Sequence, residues 1–443
     1  MGEWWGAAGR VTRTGRPNRR PELDAPTQVP LRRLFQDVRT PFGLLLLLAP
    51  VVGVLQYRGI ALAATLAFAG TVTAYARVQR RLPRPYGPTL AIALLIPAWC
   101  LVSAAWAETP ARAAATALTV GGFILLAALA LRILREEPTE RLASMLSLLA
   151  IGLGTGTLLA FLDAMTGGLL RAGVRGGGQI TGVLAFGLKP AVSVIALLLP
   201  AVLALPRVPH AARLALVLAG LATALLLPAE SAKIAAVAGL LAMAGAALLG
   251  RWVARGTGVA LAAAFVAMPL LIHAALPALP PLEGKPPSAA HRILIWDWVV
   301  DRVEERPVLG WGGEASRTVP GGRDAFDAAT LDRFGLTSPA TRGWFSGRGA
   351  QRLPLHTHNI PLQIWLELGG VGAFLAAALM LRLGWRAGEN GPGATGMLAA
   401  AAVIGMLSYG VWQEWWIGLL LMAAIIGELL GVLHRGRAAP PAG

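Results

Sequence analysis

Residues 112–134 read RAAATALTVGGFILLAALALRIL, with no charge between Arg112 and Arg132. An α-helix rises about 1.5 Å per residue, so such a run spans the roughly 30 Å hydrocarbon core of a bilayer. A helix that is apolar all round belongs either in a large protein core or in a membrane. Similar runs recur along the chain, near 41–57, 59–77, 88–107, 142–163, 188–206, 211–228, 231–250, 258–280, 359–383, 394–412 and 415–434. Twelve runs, in a chain that is 56% hydrophobic and 14% charged, predict an all-α membrane protein of about twelve transmembrane helices. The mean hydropathy of +0.61 fits the same class.

The net charge of +16 falls between the runs rather than in a nucleic-acid-binding motif, so nucleic acid is not the expected partner. With the amino terminus cytoplasmic, the even-numbered loops carry Arg77, Arg80, Arg81 and Arg84, then Arg132, Arg135 and Arg141, Arg207 and Arg213, Arg251 and Arg255, and Arg382 and Arg386. The short odd-numbered loops carry few cations. That alternation predicts both termini inside. The one cysteine, Cys100, excludes an intrachain disulfide.

Five segments follow. Residues 1–40 form a basic tail, expected to be cytoplasmic and disordered, with Trp4 and Trp5 ahead of Arg10, Arg13, Arg16, Arg19 and Arg20 rather than a cleavable signal peptide. Helices one to nine occupy 41–280. A large non-cytoplasmic loop spans 281–357, helices ten to twelve span 358–434, and a second cytoplasmic tail covers 435–443. In the loop, Arg292, Ile295, Trp296, Val299 and Val303 recur at helical spacing, which predicts an amphipathic helix over about 289–305. Pro307 ends it, Val308–Gly313 reads as a turn, and 317–352 reads as a mobile lid.

Cations on the non-cytoplasmic side break the trend and ask for a reason. They include all three lysines (Lys189, Lys233 and Lys285), Arg171 and Arg175 among glycines, and the arginines of the large loop. A negatively charged ligand on that face is the simplest one. Arg292 lies on the apolar side of the amphipathic helix, where a guanidinium suits a bidentate phosphate contact; the bland alternative is an ion pair with Asp297. Lys233 lies one turn into the eighth helix, where an ion pair with Glu230 or snorkelling is the bland alternative.

His358 precedes a helix opened by Asn359 and Pro361. A helix N-terminus disfavours imidazolium, and a neutral imidazole is what a general base needs. His356 reads as a shaping residue. A His-x-His metal site lacks a third ligand of suitable spacing, so no metal is expected. An isolated histidine at the membrane edge also has the bland reading of a cap.

Three segments together resemble the O-antigen ligase family of polytopic glycosyltransferases, which also includes O-antigen polymerases and protein O-oligosaccharyltransferases. The first is His358-Asn359, nine residues, then Gly369-Gly370-Val371-Gly372. The second is Arg292-Ile293-Leu294-Ile295-Trp296 followed by Arg306-Pro307-Val308-Leu309-Gly310-Trp311-Gly312. The third is Ser103-Ala104-Ala105-Trp106-Ala107-Glu108-Thr109-Pro110. The chain departs where the family shows a Ser-Arg pair at the start of helix eight and this sequence has Ser231-Ala232-Lys233. A lysine neutralises phosphate as a point charge and cannot form the bidentate fork.

The resemblance implies a donor glycan on undecaprenyl pyrophosphate and a multi-pass enzyme of the bacterial inner membrane with a periplasmic active site. It implies lipid A–core as acceptor and no cofactor. It gives His358 the role of general base and Arg292 and Lys233 that of pyrophosphate ligands, with His356, Asn359, Arg171 and Arg175 as secondary candidates. Polymerisation, or transfer to a protein, would use the same donor. A transporter of lipid-linked sugars would need internal repeats or ionisable residues deep in the spans.

Overall fold

A computed structural model of the chain describes residues 37–175, 183–347 and 349–438. The basic tail expected over 1–40 lies outside the described residues up to position 36, and 439–443 lie outside them too. The described residues form an all-α membrane protein with no strand; an isolated bridge joins Ala325 to Gln351.

The apolar runs become helices in the expected order. They are α1 (Arg39–Gln56), α2 (Gly59–Gln79), α3 (Pro88–Ser103), α4 (Pro110–Leu134), α5 (Thr139–Met165), the short α6 (Leu169–Arg175), α7 (Val183–Leu203), α8 (His210–Leu226), α9 (Glu230–Leu249) and α10 (Arg251–Ala275). The large loop supplies α11 (Pro287–Glu305), α12 (Ala328–Arg333) and α13 (Pro339–Phe345), and the chain returns with α14 (Ile360–Asn390), α15 (Pro392–Leu407) and α16 (Glu414–Ala438). Eight helices are long and apolar enough to cross a membrane by length and composition: α1, α2, α4, α5, α9, α10, α14 and α16. Shorter apolar helices stand at the four remaining expected positions, α3, α7, α8 and α15.

Boundaries differ where a single residue makes the turn. Gly250, at φ 68°, is all that separates α9 from α10, so Arg251 and Arg255 lie in a helix rather than in a loop. Likewise Gly391, at φ 97°, lets α14 run to Asn390 before Pro392 opens α15. The last helix continues past 435 to Ala438. The eleventh run, expected over 394–412, stops at Leu407, and the six residues that follow build part of the site described below.

Water gives no drive for apolar helices to associate inside lipid, so close backbone approach has to supply it. Three of the principal helix pairs, α10 with α14, α9 with α15 and α1 with α5, cross at glycines. A Cβ on Gly258 would come 2.8 Å from Gly384 Cα, one on Gly396 would come 2.7 Å from the Gly239 carbonyl, and one on Gly152 would come 2.4 Å from the Leu46 carbonyl.

The stretch 317–352, expected as a mobile lid, packs around a small core. Leu282, Leu294, Phe326, Leu331, Phe334 and Phe345 are buried together. Glu283 clasps the turn before α13, accepting from Thr337 N at 2.9 Å and Ser338 Oγ at 2.8 Å. The amphipathic helix α11 lies between this unit and helices α10 and α14, so it is covered on a wider arc than one stripe: His291, Leu294 and Val300 are buried with Ile295, Val299 and Val303.

Candidate active site

The site is built at the start of α14. Asn359 caps the helix, its Oδ1 accepting from Leu362 N at 2.9 Å, and Pro361 sits in the first turn where no amide partner is needed. Thr357 braces the cap through its hydroxyl, which donates to the Asn359 carbonyl at 2.5 Å, and the Thr357 carbonyl takes the indole N–H of Trp296 at 2.8 Å. The large loop's helix α11 is thereby fixed to the residues flanking His358.

His358 has a left-handed backbone, φ 56°, uncommon for a residue with a side chain and found where surrounding contacts over-determine it. The main such contact is its Nδ1, 2.7 Å from the Ser408 carbonyl. A carbonyl only accepts, so Nδ1 carries the proton and Nε2 of the neutral ring keeps its lone pair. Ser408 offers that carbonyl because α15 ends one residue earlier. The segment 408–413 is strapped back onto α14: Val411 N donates to Gln363 Oε1 at 3.0 Å and the Trp412 indole to Glu367 Oε2 at 2.5 Å.

His356 is buried, and both ring nitrogens face protein atoms. Its Nδ1 accepts from His358 N at 3.1 Å, and its Nε2 lies 3.1 Å from the Gln413 side-chain nitrogen. Burial, with the neighbouring charges of His358, Arg317 and Arg292, puts its pKa well below the ordinary value. Both of its ring nitrogens are thus engaged, one within the turn and one by Gln413. His358 itself is driven down to about 4, first by burial and then by the positive charge of Arg292. At neutral pH the ring is therefore uncharged.

Arg292, on α11, is half-buried, and among the described residues no carboxylate lies within ion-pair distance of it. Asp297, the bland partner, pairs with Arg333 instead. Burying a guanidinium without a carboxylate is costly, and an anionic ligand removes that cost. Lys189, in the first turns of α7, stands close enough to both Arg292 and His358 for its charge to act on them. One turn later Ser193 Oγ bonds the Tyr409 hydroxyl at 3.0 Å, and Ser231 at the start of α9 bonds the Ser408 hydroxyl. The starts of α7, α9 and α14 and the end of α15 thus meet at one end of the bundle.

The other candidates are placed differently. Lys233 Nζ is 2.8 Å from Glu230 Oε1, the local pair. Glu230 also acts on Lys189, so the two lysines share an acidic neighbour. Arg171 is buried, with Nε 2.5 Å from Asp163 Oδ2 and its backbone N 3.0 Å from Asp163 Oδ1, a tie between α5 and α6. Arg175 Nε reaches the Leu55 carbonyl at 3.2 Å, at the end of α1. Ser408 and Tyr409 also lie at this end of the bundle and were not singled out in the sequence, where Lys189 was noted without a specific role. Lys189 was visible as a cation against the charge trend, and Ser408-Tyr409-Gly410 as a polar break in the eleventh run.

The three motif segments interlock. Gly312 N donates to the Glu367 carbonyl and Gly370 N to the Pro307 carbonyl, both at 2.8 Å. Gly313 N donates to Ser103 Oγ at 2.9 Å, and a Cβ on Gly312 would come 2.6 Å from Ala107. Buried Glu367 ties the turn further by accepting from Glu314 N at 2.7 Å and Ser316 Oγ at 2.5 Å. Segments some two hundred residues apart therefore form one scaffold against α14, the helix that follows His358.

Residues 214–377 match a protein family described as O-antigen ligase. Three curated proteins named "Putative polysaccharide ligase" are similar. The one from Rickettsia conorii is 32% identical over 149 residues, 32% of each chain. The one from Rickettsia prowazekii is 36% identical over 138 residues, 30% of each chain. The one from Rickettsia bellii is 33% identical over 149 residues, 32% of this chain and 33% of its own. The matched part is thus about a third of the length of these relatives. No solved structure matches.

Proposed function

We propose that the chain is a member of the O-antigen ligase family, whose model matches residues 214–377, and that it transfers a glycan from undecaprenyl pyrophosphate to the core oligosaccharide of lipid A. The reaction takes place at the periplasmic face of the bacterial inner membrane, in lipopolysaccharide biosynthesis. The observation that carries the reading is the pairing of a neutral histidine, its Nδ1 tied to Ser408, with a half-buried arginine that has no carboxylate partner among the described residues.

In this mechanism Nε2 of His358 takes the proton from an acceptor hydroxyl. The hydroxyl oxygen forms a bond to the anomeric carbon from the face opposite the diphosphate. The bond from that carbon to the diphosphate oxygen breaks, undecaprenyl pyrophosphate departs, and the anomeric centre inverts. Arg292 binds the diphosphate in a forked contact and offsets the charge that grows on it, an effect worth about 3 kcal/mol for a single well-aimed donor. Lys189 supplies the inner second charge and Lys233 an outer one, shared with Glu230. General-base catalysis by His358 contributes about a hundred- to ten-thousandfold.

The test is transfer by the purified protein from an undecaprenyl-pyrophosphate-linked glycan to a panel of acceptors. The expected result is glycan on lipid A–core. Extension of a second donor glycan alone would make the chain a polymerase, and transfer to a serine-containing polypeptide alone would make it a protein oligosaccharyltransferase. Binding of donor with no transfer to any acceptor would overturn the enzymatic reading.

A further inference from the structure

The other end of the bundle carries a second cluster that this reaction does not use. Helices α4, α14 and α16 finish there together. About 26 residues of α14 separate Ile360 from Arg386, roughly 40 Å at the helical rise. Arg135, Arg386, Glu389, Val432 and the exposed Arg435 line an open concavity of about 580 Å³ at that end.

The charges in it do not cancel. Glu428 accepts from Arg135 and from Arg386, the latter through Nε at 3.0 Å, and Arg386 also pairs with Glu389. Two carboxylates thus serve two arginines. Arg435 is left with two long contacts to neutral oxygens, the Glu389 carbonyl at 3.3 Å and Asn390 Oδ1 at 3.4 Å. No carboxylate is within ion-pair distance of Arg435 among the described residues. Arg135 Nε is buried without a hydrogen-bond partner, and Arg386 and Arg435 are close enough to repel Arg135. The positive-inside bias explains arginines at this end of the helices, but not their convergence on a concavity with donors left over. Such a concavity, at the ends of apolar helices and walled on one side by Val432, matches a phosphodiester attached to acyl chains.

We propose that the Arg135–Arg386–Arg435 cavity binds the phosphate headgroup of an anionic phospholipid. The phosphate oxygens take the spare N–H groups of Arg435 and Arg135, and the first acyl carbons lie along Val432. The site is independent of the transfer reaction.

The test uses the full chain purified in dodecyl maltoside and titrated with phosphatidylglycerol, phosphatidylcholine or inorganic phosphate, read by lipid retention in native mass spectrometry and by the thermal midpoint. Phosphatidylglycerol is expected to be retained and to raise the midpoint, with neither effect from phosphatidylcholine or inorganic phosphate. Arg435→Gln should weaken phosphatidylglycerol retention about fivefold, the equivalent of about 1 kcal/mol for one arginine at a charged lipid surface. Arg141→Gln, at an exposed arginine outside the cavity, should change nothing. Equal retention of the two lipids by the unmodified protein would overturn the proposal without recourse to any variant. So would full retention by Arg435→Gln or an equal loss in Arg141→Gln. A response to inorganic phosphate as large as to the lipid would replace the lipid with a free anion.

Discussion

At the scale of single residues, the candidate site turns on which histidine nitrogen is available and when. Ser408 fixes the proton on Nδ1 of His358, and burial with Arg292 lowers the ring's pKa to about 4. With His358 as the proposed base, the working form is the unprotonated ring, so activity is expected above the folded-state pKa and should fall as the pH drops through it. The acid limb of kcat/KM is therefore expected near pH 4 rather than near the ordinary histidine value of about 6.5. Arg292→Gln removes a charge that opposes protonation, so its remaining activity should show an acid limb moved upward. An unmoved limb in that variant would separate the two residues. His358 was legible because a motif singled it out from His356, and Arg292 because a guanidinium on an apolar face demands an explanation. The Ser408 contact was not legible, since it joins positions fifty residues apart and depends on where α15 stops.

At the scale of elements, the helices followed from the apolar runs because the bilayer length sets how long such a run must be. Their ends did not, because single glycines at positive φ make turns that hydropathy averages away. Gly369 shows the same thing inside a helix. With φ 64° it kinks α14, and a Cβ there would come 2.3 Å from the Val308 carbonyl. It therefore sets how the turn at 307–313 seats against the helix carrying His358. Gly369→Ala is expected to cost about 2–4 kcal/mol, seen as a lower thermal midpoint and lost transfer. Gly122→Ala, in α4 with open space around its Cα, should be neutral or mildly stabilising. Equal tolerance of both would dissolve the interlock as an explanation of why these segments occur together. The order within 317–352 was also hidden, since Leu282, Leu294, Phe326 and Phe345 are too scattered in sequence to show a period.

At the scale of the whole molecule, the two ends of one bundle carry different clusters of polar side chains. One gathers the starts of α7, α9 and α14 around His358, and the other gathers the ends of α4, α14 and α16 around three arginines. The charge alternation could not have shown the convergence at either end, because loop counts carry no distances. The account's central claim is that Arg292 holds the donor while His358 moves a proton, and these roles separate experimentally. The decisive measurement is donor retention beside single-turnover transfer for His358→Gln and Arg292→Gln. His358→Gln is predicted to bind the undecaprenyl-pyrophosphate-linked glycan as the unmodified protein does and to transfer it at least about a hundredfold more slowly. Arg292→Gln is predicted to bind it about tenfold or more weakly. Near-normal transfer by His358→Gln, or undiminished donor binding by Arg292→Gln, would contradict the account.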